Sequence, residues 1–86
     1  MSEPGKIPDL NIKVARALSQ KADELERQNK DKFRVIAHRR AAKVIRSEPR
    51  NLWGIYRSSG LKGLHKIKGV GHRIAWEIVS LVESKK

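Results

Sequence analysis

The stretch Gly69-Val70-Gly71 is where residue types and spacing point most directly to a chemistry. Apolar residues at helical spacing precede it (Leu61, Leu64, Ile67) and follow it (Ile74, Ala75, Ile78, Leu81, Val82). Two glycines one residue apart let the backbone turn where a side chain would clash. The first N–H groups of the following helix then lack an intrahelical acceptor and face outward, an arrangement that suits an anion. A helix start also carries roughly half a positive charge. Lys66, Lys68, His72 and Arg73 surround the turn with further positive charge. The chemistry implied is a grip on phosphate: Gly69 and Gly71 admit a nucleic-acid backbone, and Val70 anchors the turn from inside. Such contacts read no base edge, so binding is expected to be sequence-independent and steeply salt-dependent. An ordinary glycine-capped turn beside solvated lysines is the plain alternative.

Three earlier segments must position this turn. Asp9 is expected to cap a helix running to about Gln28 or Asn29, with Leu10, Val14, Ala17, Leu18, Ala22 and Leu25 on one face. Its mixed-charge outer face suggests a structural brace. Residues 29–31 form a turn, and Asp31 caps a second helix over about Lys32 to Arg46. The inner stripe expected there is Phe33, Ile36, Ala37, Ala41 and Val44, with Ile45 at its margin. Arg34 and His38 share the flank of that stripe, and Arg39, Lys43 and Arg46 lie outside. Arg40 falls within the apolar arc, to snorkel or meet a carboxylate. Pro49 closes the segment. Asn51 caps a short helix near 51–57 with Leu52, Ile55 and Tyr56 inward, and Ser58-Ser59-Gly60 breaks it. The hairpin helices follow at about 61–66 and 71–83. The reading is an all-α fold: a compact four-helix domain over residues 9–84, plus the short extra helix, behind a loose tail at residues 1–8.

The chain of 86 residues has a net charge of +11 and no cysteine. Residues 1–31 carry six basic and six acidic side chains and sum to zero. Residues 32–86 carry fourteen basic residues against Glu48, Glu77 and Glu83, so the whole excess lies there. A polyanionic partner fits this asymmetry. Anionic membrane fits less well, because no helix sets a wide bulky apolar face opposite lysines. No apolar run approaches a membrane span, and the first residues have no apolar signal core, so an intracellular monomer is expected.

The turn and its flanks resemble the helix-hairpin-helix motif. The likeness extends to Phe33-Arg34-Val35-Ile36-Ala37-His38-Arg39-Arg40-Ala41-Ala42-Lys43-Val44-Ile45. This run resembles the second helix of the amino-terminal lyase domain of family X (beta-like) DNA polymerases, whose signature there is Ala-Tyr-Arg-Lys/Arg-Ala-Ala. Ile67 to Ala75 then match the hairpin of the same domain, so the resemblance covers about residues 10–83. It implies binding to duplex or gapped DNA and to 5′-phosphate ends, in DNA repair or genome maintenance, with a protein partner in a repair or replication complex. The family's 5′-phosphate pocket maps onto Arg34, His38, His65 and Arg73. His38 stands where the family has tyrosine and His65 where members have lysine. The resemblance also implies a Na or K ion held by the carbonyls of His65, Ile67 and Val70 when DNA is bound. The candidate DNA-binding set is therefore Lys66, Lys68, Gly69, Val70, Gly71, His72 and Arg73, joined by Arg34, His38, Arg39 and His65.

The lyase reaction of that family needs an amine to form a Schiff base. Glu77 occupies the matching position, and a carboxylate cannot form an imine, so no efficient lyase activity and no catalytic residue are expected. Glu77 lies four residues after Arg73, and a surface ion pair between them is the favoured reading. Trp76 is expected to pack in a groove rather than stack on an unpaired base, and Trp53 and Tyr56 to close the core. His38, His65 and His72 lack metal-ligand spacing. Near phosphate they would protonate, and binding would strengthen below about pH 7. Two rival readings remain: a weak abasic-site or 5′-deoxyribose phosphate lyase using a displaced lysine, and a protein-docking module marked by exposed apolar residues around Trp53, Tyr56 or Trp76. RNA binding is a further alternative.

Overall fold

A computed structural model of the chain describes residues 7–29 and 31–85. Four helices follow in order, α1 (Asp9–Arg27), α2 (Lys32–Arg46), α3 (Leu52–His65) and α4 (His72–Lys85), with no strand among the described residues. Of the expected tail at residues 1–8, residues 1–6 lie outside the described residues, and Ile7 and Pro8 are half-buried. Pro8, not Asp9, caps α1: its carbonyl accepts from the Ile12 N–H at 3.2 Å, and Asp9 is the first helical residue. An acidic side chain there still faces the positive end of the helix. At the other end Asn29 takes φ 55°, a left-handed turn that asparagine tolerates.

Asp31 caps α2 as expected, its carboxylate accepting from the Phe33 N–H at 2.9 Å. The inward face of α2 is turned from the expected stripe. Val35, His38, Ala41, Ala42 and Ile45 are buried, whereas Phe33 is 82% exposed and Ile36 52%. The cause is His38. Its ring is fully satisfied inside, so a polar residue takes the central inward position and the neighbouring apolar residues rotate out.

Asn51 caps α3, its side chain accepting from the Trp53 N–H at 2.9 Å. The helix is broken at Gly60 (φ 66°, ψ −157°), where a left-handed residue separates two helical pieces. This is the break expected at Ser58-Ser59-Gly60. The second piece delivers Leu64 to the core, and Ile67 follows it there from the turn beyond the helix.

Helix α1 braces α2, α3 and α4 together. The core joins Val14 and Leu18 of α1, Ile45 of α2, Leu52 and Leu64 of α3, and Ile74, Ala75, Ile78 and Val82 of α4. Trp53 and Tyr56 pack against it, half-buried. One polar side chain locks the arrangement. Asn11 is wholly buried and donates to the carbonyls of Glu48 (2.9 Å) and Arg50 (2.8 Å), while its oxygen accepts from the Leu52 N–H (3.0 Å). These bonds tie the α2–α3 connection to α1 and satisfy backbone groups that would otherwise be buried unpaired.

Candidate nucleic-acid interface

The hairpin is built from its apolar residues outward. Leu64, Ile67, Val70, Ile74, Ala75 and Ile78 are all buried, so both helices and the turn between them rest on one core. Val70 is 4% exposed, the anchor its position suggests. The Val70 N–H donates to the Ile67 carbonyl at 3.0 Å, tightening the turn. The Gly71 carbonyl accepts from the Ala75 N–H at 2.9 Å. Gly71 is therefore the cap of α4, and the N–H groups of His72, Arg73 and Ile74 precede the intrahelical ladder.

The two glycines serve different ends. Gly69 sits at φ 94°, and a Cβ placed there would lie 2.8 Å from a methyl of Val44 and 3.6 Å from Arg40 Cγ. Its bare side faces α2, not an incoming ligand, which corrects the expectation that both glycines admit the nucleic-acid backbone. Gly71 has open space where a Cβ would stand and is exposed. Only Gly71 leaves room for a backbone to approach.

Lys66, Lys68, His72 and Arg73 are all exposed around this turn. Lys66 is shared by three depressions. One of about 480 Å³ also draws on Lys43, Arg50 and Lys68, with Glu48 held by Arg50. A second, of about 180 Å³, is lined by Leu61, Lys62, His65, Lys66 and His72. A third, of about 560 Å³, runs along α3 past Gly54, Ser58 and Gly63. Arg40, Lys43, Arg50 and Lys62 are thus beside the hairpin although neither motif nor spacing points to them. Arg40 meets no carboxylate among the described residues; its methylenes pass beside Gly69 and the residue is exposed. Only the folding of α2 against the turn brings it there.

The side chains expected to form a pocket on α2 and α4 are placed unequally. His38 is 1% exposed, and both ring nitrogens are engaged: Nδ1 with the Arg34 carbonyl at 2.7 Å and Nε2 with Glu77 Oε2 at 2.5 Å. It cannot reach a phosphate without losing both bonds, so the structure removes it from the DNA-contacting set. The Arg34 carbonyl can only accept, so Nδ1–H donates to it, and Nε2 faces the Glu77 carboxyl. Glu77 accordingly pairs with His38 across the α2–α4 contact and not with Arg73. Arg34 is half-buried, and its Nε has no hydrogen-bond partner among the described residues. Arg39 is held by α1, with Asp23 at 3.0 Å and Glu26 at 2.7 Å, and both carboxylates raise its pKa. Its charge is offset by its own fold. Trp76 is 57% exposed, far more than packing into a groove would leave.

A family model described as helix-hairpin-helix domain matches residues 9–86. The chain belongs to the helix-hairpin-helix domain family. Domains of this family generally bind DNA without regard to sequence. Comparison with curated proteins and with solved structures returns no match.

Proposed function

We propose that this helix-hairpin-helix domain is a sequence-independent DNA-binding module that grips backbone phosphate at the start of α4. The observation that carries the reading is the open Gly71 cap, ringed by exposed Lys66, Lys68, His72 and Arg73. The charge asymmetry supports it: the excess of positive charge lies in the part of the chain that contains the hairpin. Arg40 and Lys43 on α2 extend the cationic surface beside the turn.

A preference for gaps or ends bearing a 5′-phosphate is the finer proposal. It rests on the likeness to family X DNA polymerases, with Arg34, His65 and Arg73 as the phosphate-facing groups. The orphaned Arg34 Nε favours it, since a buried donor without a partner gains from an anion. The same likeness suggests a repair or genome-maintenance role inside the cell. Three labelled DNAs of equal length test the preference: an intact duplex, a gap with a 5′-phosphate and the same gap with a 5′-hydroxyl. Tighter binding of the phosphorylated gap is expected. Equal binding to all three would leave the general phosphate grip and discard the end preference.

The module is proposed not to act as an efficient lyase, because the position that would supply the amine carries Glu77, engaged with His38. Borohydride trapping on an abasic 5′ end should be slow or absent; rapid trapping would assign the reaction to a displaced lysine. A docking role is the second reading. Its support is the apolar surface of Phe33 and Ile36, which adjoins a depression of about 240 Å³ lined by Glu26, Asn29, Lys32, Val35 and Ile36. Weak, salt-insensitive DNA binding would favour it.

A further inference from the structure

The depression where the last turn of α3 meets the first turn of α4 has a composition the phosphate grip alone does not require. Its polar lining is Lys62, His65 and Lys66 from the α3 side and His72 from α4, with Leu61 as the apolar contribution. Among the described residues no carboxylate lines it, and α1 and α2 contribute no lining residue. Arg73 and Lys68, the nearest charged residues in sequence, are also basic. The rings of His65 and His72 stand edge to face, with centroids 5.8 Å apart and planes at 79°. Neither ring has a hydrogen bond or ion pair among the described residues. His38, by contrast, spends both nitrogens inside the fold.

The oxygens of a phosphate accept from protonated imidazole and attract both lysines, so bound phosphate and the charged form of each ring favour one another. The volume of about 180 Å³ corresponds to roughly six waters of liquid, enough for one tetrahedral phosphate with part of its hydration.

We propose that this cavity is a proton-coupled phosphate seat, in which a nucleic-acid phosphate lies between His65 and His72, each ring takes up a proton, and Lys62 and Lys66 close on the same group. The proposal rests on the DNA-binding reading and adds its regulation: affinity rises as pH falls through the histidine range. The phosphate can come from the duplex backbone or from a 5′ end, and the two behave differently. A backbone diester keeps a constant charge from pH 6 to 8. A terminal monoester gains negative charge through that range.

The test is fluorescence anisotropy at pH 6, 7 and 8 and fixed ionic strength, with one duplex bearing 5′-hydroxyl ends and the same duplex bearing 5′-phosphates. The wild type is compared with the double variant His65→Asn/His72→Asn, each checked for helix content at every pH. The wild type is expected to bind about tenfold or more tightly at pH 6 than at pH 8. The double variant is expected to lose the gain in affinity at pH 6 and to vary less than about twofold across the range. Equal pH dependence on both duplexes assigns the seat to the backbone, and a tighter, flatter response on the phosphorylated duplex assigns it to the end. A pH-independent wild type, or a double variant that keeps the pH dependence, overturns the seat while the DNA reading stands. Absence of binding at every pH overturns the DNA reading and the seat with it.

Discussion

Gly69 and Gly71 look interchangeable in the sequence and are not. Gly69→Ala must place a Cβ against Val44 at a left-handed backbone angle, and should cost about 2 kcal/mol or more. Gly71→Ala meets open space and should leave the melting temperature nearly unchanged while weakening DNA binding. Thermal denaturation and anisotropy on the pair separate the two roles. Asn11 is the other residue whose importance is local. Asn11→Ala leaves the buried Leu52 N–H unpaired and frees two carbonyls, with an expected loss of about 2–3 kcal/mol in urea denaturation. Neither fact was legible beforehand. Glycine spacing reveals a turn but not which side faces a neighbouring helix, and Asn11 is a polar residue whose partners lie 37 to 41 positions away.

At the scale of elements, the limits of α2 and the break in α3 were readable because caps and breakers act locally. Asp31, Asn51 and Gly60 each act within a few residues of where they stand. The rotation of α2 was not readable, because it depends on a bond from His38 to Glu77 across 39 positions. An apolar pattern alone favours Phe33 and Ile36 inward and leaves His38 on the flank of the stripe. The same bond governs what the lyase position can tolerate. Glu77→Lys would supply an amine but would break the bond between Glu77 and the buried His38 ring and bring an ammonium group to a site the fold closes. The expected result is a loss of about 2–3 kcal/mol and no gain of Schiff-base trapping, read by denaturation and borohydride reduction. The α2–α3 connection carries a second, pH-sensitive tie. The Arg50 guanidinium and backbone N–H hold the Glu48 carboxyl below the usual carboxylate range. A lowered folded pKa stabilises the fold above the unfolded carboxylate pKa of about 4.3 and ceases to do so as pH falls through the lower folded value. The melting-temperature gap between wild type and Glu48→Gln should therefore be widest near neutral pH and shrink through that acid window.

The whole molecule is an elongated body, 44 × 24 × 23 Å, whose charge is divided along the sequence. Helix α1 supplies acids, two of which are spent on Arg39, while the hairpin and its surroundings keep their basic residues exposed. That division was legible from sequence, since counting charges needs no fold. The placement of Arg40, Lys43 and Arg50 beside the turn was not, since it follows from how α2 and the connection after it meet the hairpin. The central claim is that exposed cations at the hairpin neutralise DNA phosphates, and its most direct test is the salt dependence of binding. Affinity for an intact duplex would be measured from 50 to 200 mM salt for wild type and for Lys66→Ala/Lys68→Ala/Arg73→Ala. Each phosphate contact contributes a slope of about −0.9 in log K against log salt, so the triple variant should lose about three from the magnitude of the wild-type slope and bind every sequence more weakly. A wild-type slope near zero, or one the three substitutions leave unchanged, would contradict the account.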